Sequence, residues 1–511
     1  MSTTTVPAAT SVARSKNLAL IAMLLAVAMT FIDQTIVAIA APNIQAELSL
    51  SQDGSRWVIN AYLLALAATF AFGGRLADVL GHRRMAAVGI VGFAASSLLC
   101  GLAPTNGAAE AWIIVFRAAQ GVSGAIMIPA ALAVVVAAFP IQERGRALAI
   151  FFGVSGGLTA VGPIAGGFLT QWTWRSIFWI NVPIAVLALI LLAAARITPS
   201  RRRERIDYPG ALVAAIGMGL SVLGFEQAPQ WGWDSAATWL CIVVGLAAIV
   251  VFGFVEARTA SPLMQVRIFR NRAFIVDNAM LFLSMIAFVP VFFFASVYAQ
   301  VSLGYDANSA GLYLLVFFGG FAPAAQIGGR LLDSRGARLP VIAGAAIATA
   351  GFGLWAWKLT ELSLGAQWPF IILSGAGIGL LLGPASTDAV NRAIGASYGE
   401  VTGITQTVRN YSAALSIAVL GTVLSTVFAH RLETSLTSLG IPAETAKSIA
   451  NSASEQGGGS GGGPMPVGLQ AAVRHDFAVA TQWVLAGMAI ALAASFIVAL
   501  FHPGGRPTQE D

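Results

Sequence analysis

Fourteen apolar runs follow one another along this 511-residue chain, the first at Leu18–Ala41 and the last at Phe477–Leu500. Each is close to the roughly 20 residues that a helix needs to cross bilayer hydrocarbon. Inside lipid, every backbone N–H and C=O must find its partner within the protein, which at this length means helix. The expected fold class is therefore an all-α membrane protein with 14 transmembrane helices. Composition agrees: 57% of residues are hydrophobic and only 10% charged, whereas a soluble domain carries about 25% charged residues to wet its surface. The net charge of +6 does not point to nucleic acid, because of where the cations stand. Arg14, Lys16, Arg83, Arg84, Arg144, Arg146, Arg196, the Arg201-Arg202-Arg203-Glu204-Arg205 run, Arg267, Arg270, Arg272, Arg335, Arg338 and Arg392 all fall in loops on one side. The opposite loops, around Thr105, Gln230 and Tyr305, carry almost none. Cytoplasmic loops hold the excess of Arg and Lys, so both termini are expected in the cytoplasm.

Two stretches match each other. Gly74-Arg75-Leu76-Ala77-Asp78-Val79-Leu80-Gly81-His82-Arg83 and Gly329-Arg330-Leu331-Leu332-Asp333-Ser334-Arg335-Gly336-Ala337-Arg338 both read G-R-L-x-D-x-x-G-x-R. They join helices two to three and ten to eleven, so the repeat is eight helices, as in duplicated transporters with an insert. The chain then divides into a cytoplasmic tail 1–17, a six-helix bundle 18–195, and a basic loop with two inserted helices 196–272. A second six-helix bundle 273–502 and a tail 503–511 follow, with a long extracytoplasmic loop 429–476 inside that bundle. Within this loop Gly457–Gly463 reads as a flexible linker by composition. In each motif the glycine permits a tight turn. Arg83 and Arg84 serve topology, but topology alone does not explain Asp78.

Asp33 is the most telling single residue. It lies about 16 residues into an apolar helix, some 24 Å from the cytoplasmic start at 1.5 Å per residue. An acid there is expensive unless it is paired, protonated or facing water, and such residues mark ion and proton pathways. The alternative is a structural acid hydrogen-bonded within the bundle. Arg117 enters from the other side at a similar estimated depth and is the candidate partner, either electrically coupled to Asp33 or forming a static pair. Asp277 near the start of helix nine, Asp388 late in helix twelve and Glu226 at the outer end of helix seven are secondary acids, and helix ends tolerate charge by snorkelling. Arg409 in helix thirteen is placed to pair with an acid. Cys100 and Cys241 lie in apolar runs, and His82, His430, His475 and His502 flank membrane segments, so no metal constellation is expected. The sequence contains no G-x-x-x-x-G-K-[ST], H-E-x-x-H or G-x-S-x-G signature, and no enzyme is expected.

The ordered motifs then carry a resemblance. Phe31-Ile32-Asp33-Gln34-Thr35-Ile36-Val37-Ala38-Ile39-Ala40-Ala41-Pro42 is similar to the signature L-D-x-T-I-V-N-V-A-L-P, with Ala38 where Asn is usual. Arg117-Ala118-Ala119-Gln120-Gly121 resembles R-x-x-Q-G, and Gly162-Pro163-Ile164-Ala165-Gly166-Gly167 matches the core of an antiporter motif. That motif's usual Gly four residues earlier is replaced by Leu158, with Gly157 one place before. Trp174-Arg175 followed by Asn181-Val182-Pro183 is similar to the usual start of helix six. Together these resemble the fourteen-spanning drug:proton antiporter family of the major facilitator superfamily.

The resemblance implies two six-helix bundles plus two inserted helices. It implies proton coupling at Asp33 and Arg117. It also implies a gate at Gly74, Asp78, Gly81, Arg83, Arg84 and Asp333, with Asp78 facing a helix start near Val401 in the other half. Helix-five glycines (Gly153, Gly157, Gly162, Gly166) would form the closed interface between halves, and Gln34, Ile36, Val37, Asn60, Gln120, Asp277 and Arg409 are candidates for the cavity. The implied activity is proton-coupled efflux of hydrophobic or cationic compounds across a bacterial plasma membrane, by a monomer that uses the proton gradient and no cofactor. Its partners would be the substrate, protons and lipid. A dedicated exporter of one antibiotic, siderophore or lipid is the alternative, with a non-transporting sensor and an importer further off.

Overall fold

A computed structural model describes residues 9–139, 147, 150–151, 161–195, 207–259, 262, 266–391, 398–455 and 467–504. The Arg201–Arg205 run, Gly153, Gly157 and Gly457–Gly463 lie outside the described residues. The helices are α1 Ala9–Leu48, α2 Gln52–Leu80, α3 His82–Gly101, α4 Ala109–Ala138, α5 Val161–Thr170, α6 Asn181–Ala194, α7 Tyr208–Trp231 and α8 Ala236–Arg258. Next come α9 Arg272–Val301, α10 Ala307–Arg335, α11 Arg338–Lys358, α12 Leu364–Asn391, α13 Tyr398–Ser438, α14 Ala443–Glu455 and α15 Val467–Leu500. Among the described residues, twelve helices are long and apolar enough to cross a membrane. The bent α2, formed by Asp53–Phe70 and Phe72–Leu80, makes a further span. The fifth expected span falls partly outside the described residues, and its outer half is α5.

Local chemistry sets the helix ends. Ser51 Oγ accepts from Gly54 N–H at 2.8 Å at the start of α2, and Asp207 Oδ1 from Gly210 N–H at 2.9 Å at the start of α7. Asn271 and Asp306 cap α9 and α10 in the same way. Each cap satisfies one of the orphan amides of a first turn. The repeated motif ends both its helices alike: Gly81 (φ +101°) and Gly336 (φ +82°) each donate back to the carbonyl four residues earlier, on Ala77 and Leu332, at 2.9 Å. A side chain at either glycine would be strained, so the same sequence yields the same turn twice.

Helices α1 to α6 pack together, as do α9 to α13 with α15, while α7 and α8 form a hairpin beside them. The two sets meet through α2 with α13, α5 with α10, and α1 with α9. On its inner side α7 touches both α2 and α13. The outer side of the hairpin is apolar, with Leu240, Val243, Val250 and Phe254 of α8 exposed as a lipid-facing surface.

The region expected as a long loop is largely helical. After α13 overshoots to Ser438, α14 lies back against it. Its Ala446 and Ala450 are buried, and Ser454 Oγ donates to the Ser425 carbonyl at 3.1 Å. Small residues at i, i+4 and i+8 give α14 one face that fits a neighbouring helix, a pattern hidden by its polar composition. The exposed tryptophans Trp172, Trp179, Trp231, Trp233, Trp239, Trp357 and Trp368 lie at the end opposite the basic loops, the far end, and exposed Trp483 stands within α15.

Candidate functional site

The R-x-x-Q-G stretch of α4 builds the centre of the first half. Arg117 Nη1 donates to Asp33 Oδ2 at 2.5 Å, and Gln120 Nε2 donates to Asp33 Oδ1 at 3.0 Å. Arg117 is also held by Gln120 Oε1 at 2.7 Å and, through Nε, by the Val58 carbonyl of α2 at 2.7 Å. Its guanidinium lies 4.5 Å from the centroid of Tyr62 and 5.8 Å from that of Phe178. Asp33 and Arg117 are each 1% exposed. Gly121 completes the motif, because a Cβ there would collide with the Tyr62 carbonyl and push α2 from α4. Arg117 thus brings the charge, Gln120 supports both members of the pair, and Gly121 allows the close approach that seats them.

The glycines of α5 face α1. A Cβ on Gly162 would overlap Thr35 Oγ1 and stand 2.9 Å from Thr35 Cβ, and one on Gly166 would stand 3.1 Å from Ile36 Cγ1. Gly162 and Gly166 thus press on the helix that carries Asp33, while α5 as a whole also meets α10 of the other half. Gly167 is buried as well, and Pro163 follows Gly162 in the same helix. Ile36 and Val37, expected in a cavity, are each 1% exposed. Gln34 is half-buried. At the far end, Trp174 Nε1 donates to Glu47 Oε2 at 2.8 Å and Arg175 pairs with Glu47, tying the α6 approach to α1.

A second charged cluster joins α2 to the inserted α7. Arg56 bonds to Glu226 at 3.3 Å and to Asp53 at 3.1 Å. Asn60 Nδ2 donates to Glu226 Oε2 at 2.8 Å, and Gln230 donates to Asp53. Glu226 is fully buried, not snorkelling at a helix end as expected, because α7 packs on α2 at that level. Asn60, expected in the cavity, gives its amide N–H to Glu226. Arg56 and Asp53 were not singled out from the sequence; the signal was there in the i, i+3, i+7 spacing of Asp53, Arg56 and Asn60 on one helix face.

At the basic end Asp78 Oδ1 lies 3.7 Å from His82 Nε2. Residues 392–397, just before the expected facing helix start, lie outside the described residues. Arg83 Nη2 donates to the Leu192 and Ala193 carbonyls at 3.3 and 3.2 Å, closing the end of α6. Gly74 and Asp78 are half-buried, and Arg84 and Asp333 exposed. Arg409 meets no acid among the described residues; its Nη1 donates to Gln406 Oε1 at 2.9 Å. Asp277, Asp388 and His502 gather at the basic end of the second half, with His502 Nε2 at 3.3 Å from Asp277 and 3.1 Å from Asp388. Their ligand-type atoms lie within 4.8 Å of one another, a grouping that spacing along the chain did not reveal. Burial works against charge on His502, but the two carboxylates outweigh it and its pKa is pushed up to about 9. Gly504 N–H stands 3.1 Å from His502 Nδ1, and the two negative charges that share Nε2–H prevail over that one neutral contact.

With this geometry in place, the chain can be set beside known proteins. A multidrug resistance protein of Mycobacterium tuberculosis is 31% identical over 429 residues, covering 82% of this chain and 78% of that protein. The tetracenomycin C resistance and export protein of Streptomyces glaucescens is 32% identical over 80% of this chain and 75% of its own length. A puromycin resistance protein of Streptomyces alboniger is 34% identical over 79% and 81%. Among solved structures, an inward-facing, unoccupied bacterial homologue of the human lysosomal transporter Spinster superposes with a TM-score of 0.61 at 16% identity, covering 96% of this chain and 98% of that one. A D-xylose–proton symporter gives 0.58 at 13% identity over 85% and 95%. At such identities the structures speak for the fold alone. The family profile described as Major Facilitator Superfamily matches residues 23–417, and the chain belongs to that superfamily.

Proposed function

We propose that this protein exports hydrophobic small molecules across a bacterial plasma membrane in exchange for protons, with both termini in the cytoplasm. The observation that carries the reading is the buried Asp33–Arg117–Gln120 cluster: an intramembrane acid, on the helix that the antiporter glycines grip, held by a cation from α4. A proton arriving on Asp33 removes the negative charge that faces Arg117. Arg117 keeps the Val58 carbonyl and Gln120 as partners, so it can stay buried while the charge of the site changes. Such a change biases two access states against each other, which is the content of coupling. The second half supplies an aromatic core from α9, α10 and α11. Phe292 and Phe318 stack at 5.3 Å between centroids, and Phe288 and Phe321 at 5.4 Å. Rings of this kind suit apolar cargo of varied shape.

Inverted membrane vesicles carrying the protein should accumulate dyes or antibiotics when their interior is acidified, and lose that uptake when a protonophore is added. Asp33→Asn should abolish the gradient-driven part while the protein remains inserted. Full gradient-driven uptake by Asp33→Asn, or no gradient-dependent movement of any compound in the panel, would overturn the proposal. The relatives named for single antibiotics favour a second reading, a dedicated exporter. Uptake of one compound class only from the panel would select it.

A further inference from the structure

The cluster around Arg56 has no part in the exchange just described, and its charges do not balance. Arg56 is the only cation within ion-pair distance of both Asp53 and Glu226 among the described residues. Two carboxylates share one guanidinium, and Glu226 is wholly buried. A surplus negative charge in such a place is strongly unfavourable unless it is neutralised. We infer that Glu226, with Arg56 and Asn60, forms a second proton-binding site, set where the inserted helix α7 meets both halves of the transporter.

Asn60 provides the independent observation. Its Nδ2 donates to Glu226 Oε2 at 2.8 Å, while its Oδ1 is buried with no hydrogen-bond partner. An amide turned half over would present that oxygen to Glu226 instead. A carboxylate needs a donor and a carboxylic acid needs an acceptor, and one amide offers both. The site is thus furnished for Glu226 with and without its proton.

The neighbouring groups leave the count unchanged. Glu110, in the first turn of α4, lies against Gly54 and adds negative charge. Gln230 of α7 serves Asp53 and is neutral. From α13 the facing groups are Gly421, Thr422 and Ser425, from α14 Ser454, and from α8 Cys241 beside Gly224, none of them a cation. The position gives the proton a mechanical consequence. A Cβ on Gly421 would stand 2.9 Å from Arg56 Cδ, and Thr422 Oγ1 donates to the Phe225 carbonyl at 3.0 Å, one residue from Glu226. Protonated Glu226 loses its hold on Arg56, which then answers to Asp53 on its own helix. The clamp between α7 and α2 loosens at the level where α13 touches both.

The test reads protons and not drugs, so it stands or falls independently of the efflux reading. Full-length protein in lipid nanodiscs is titrated from alkaline to acidic buffer while infrared difference spectra record the carboxylic-acid C=O stretch. The wild type should gain a band that Asp33→Asn retains, Glu226→Gln loses and Glu226→Asp shows at a displaced frequency. A Glu226→Gln spectrum that matches the wild type throughout the titration overturns the site. Should Glu226→Gln fail to fold, Asn60→Leu keeps every charge and removes the amide, so it must shift the frequency of the band. An unshifted band overturns the site equally.

Discussion

Arg117 divides its donors among Asp33, Gln120 and the Val58 carbonyl, all out of reach of water. Removing one member of such a pair strands a buried charge and costs about 3–5 kcal/mol, while removing both charges is far milder. Arg117→Gln should therefore be less stable than the double variant Asp33→Asn/Arg117→Gln, by thermal unfolding of purified protein. Equal destabilisation of the two would show that the pair is not electrostatically linked. Asp33 and Arg117 were legible in the sequence because charges deep in apolar runs are rare, and helix geometry put them at similar depth. Glu226 was misread for the complementary reason: it sits near a helix end, where charge usually escapes to water. Only the packing of α7 on α2, which one sequence does not reveal, closes that escape.

At the scale of elements, α1 is held by contacts of two kinds, the α5 glycines along one seam and the charged pair to α4 along another. The glycine motif was visible in the sequence, but its partner helix was not, since a small residue says that something approaches without saying what. The turns at Gly81 and Gly336 could be read directly, because a repeated sequence with a fixed glycine allows few alternatives. His502 could not be. It lies beyond the last span, and its two acids come from α9 and α12, each more than a hundred residues away. This contact pins the segment after α15 to the second half, with a definite pH dependence. The folded value of about 9 stands above the ordinary imidazole value of about 6.5, so the stabilisation is complete below about pH 6.5 and is lost as the pH rises through about 9. Hydrogen exchange of the backbone around His502 should accordingly be slow at neutral pH and speed up in alkaline buffer. In His502→Ala it should be fast at both, and slow exchange in that variant would dismiss the anchor.

For the whole molecule, the two helix sets touch chiefly through α2 with α13, α5 with α10 and α1 with α9, and share the inserted hairpin as a flank. The duplicated turns lie on the basic end of each set, away from the Asp33 centre. If they time the exchange of access states, Asp78→Asn should slow turnover by about tenfold, roughly 1.4 kcal/mol on the barrier, with equilibrium drug affinity unchanged. Transport rates and equilibrium binding measured on one preparation decide it, and a large loss of affinity at normal turnover would refute a timing role. The exposed tryptophans have a further consequence for such rocking. Indole rings settle at the headgroup layer, whereas arginine stems reach across a range of depths. With Trp172, Trp179, Trp231, Trp233, Trp239, Trp357 and Trp368 at one rim only, the protein is fixed in height at its far leaflet and free to ride at the other. A thicker or thinner bilayer is then accommodated on the arginine side, beside Gly81 and Gly336, so membrane thickness itself becomes an input to the rate at which this transporter turns over.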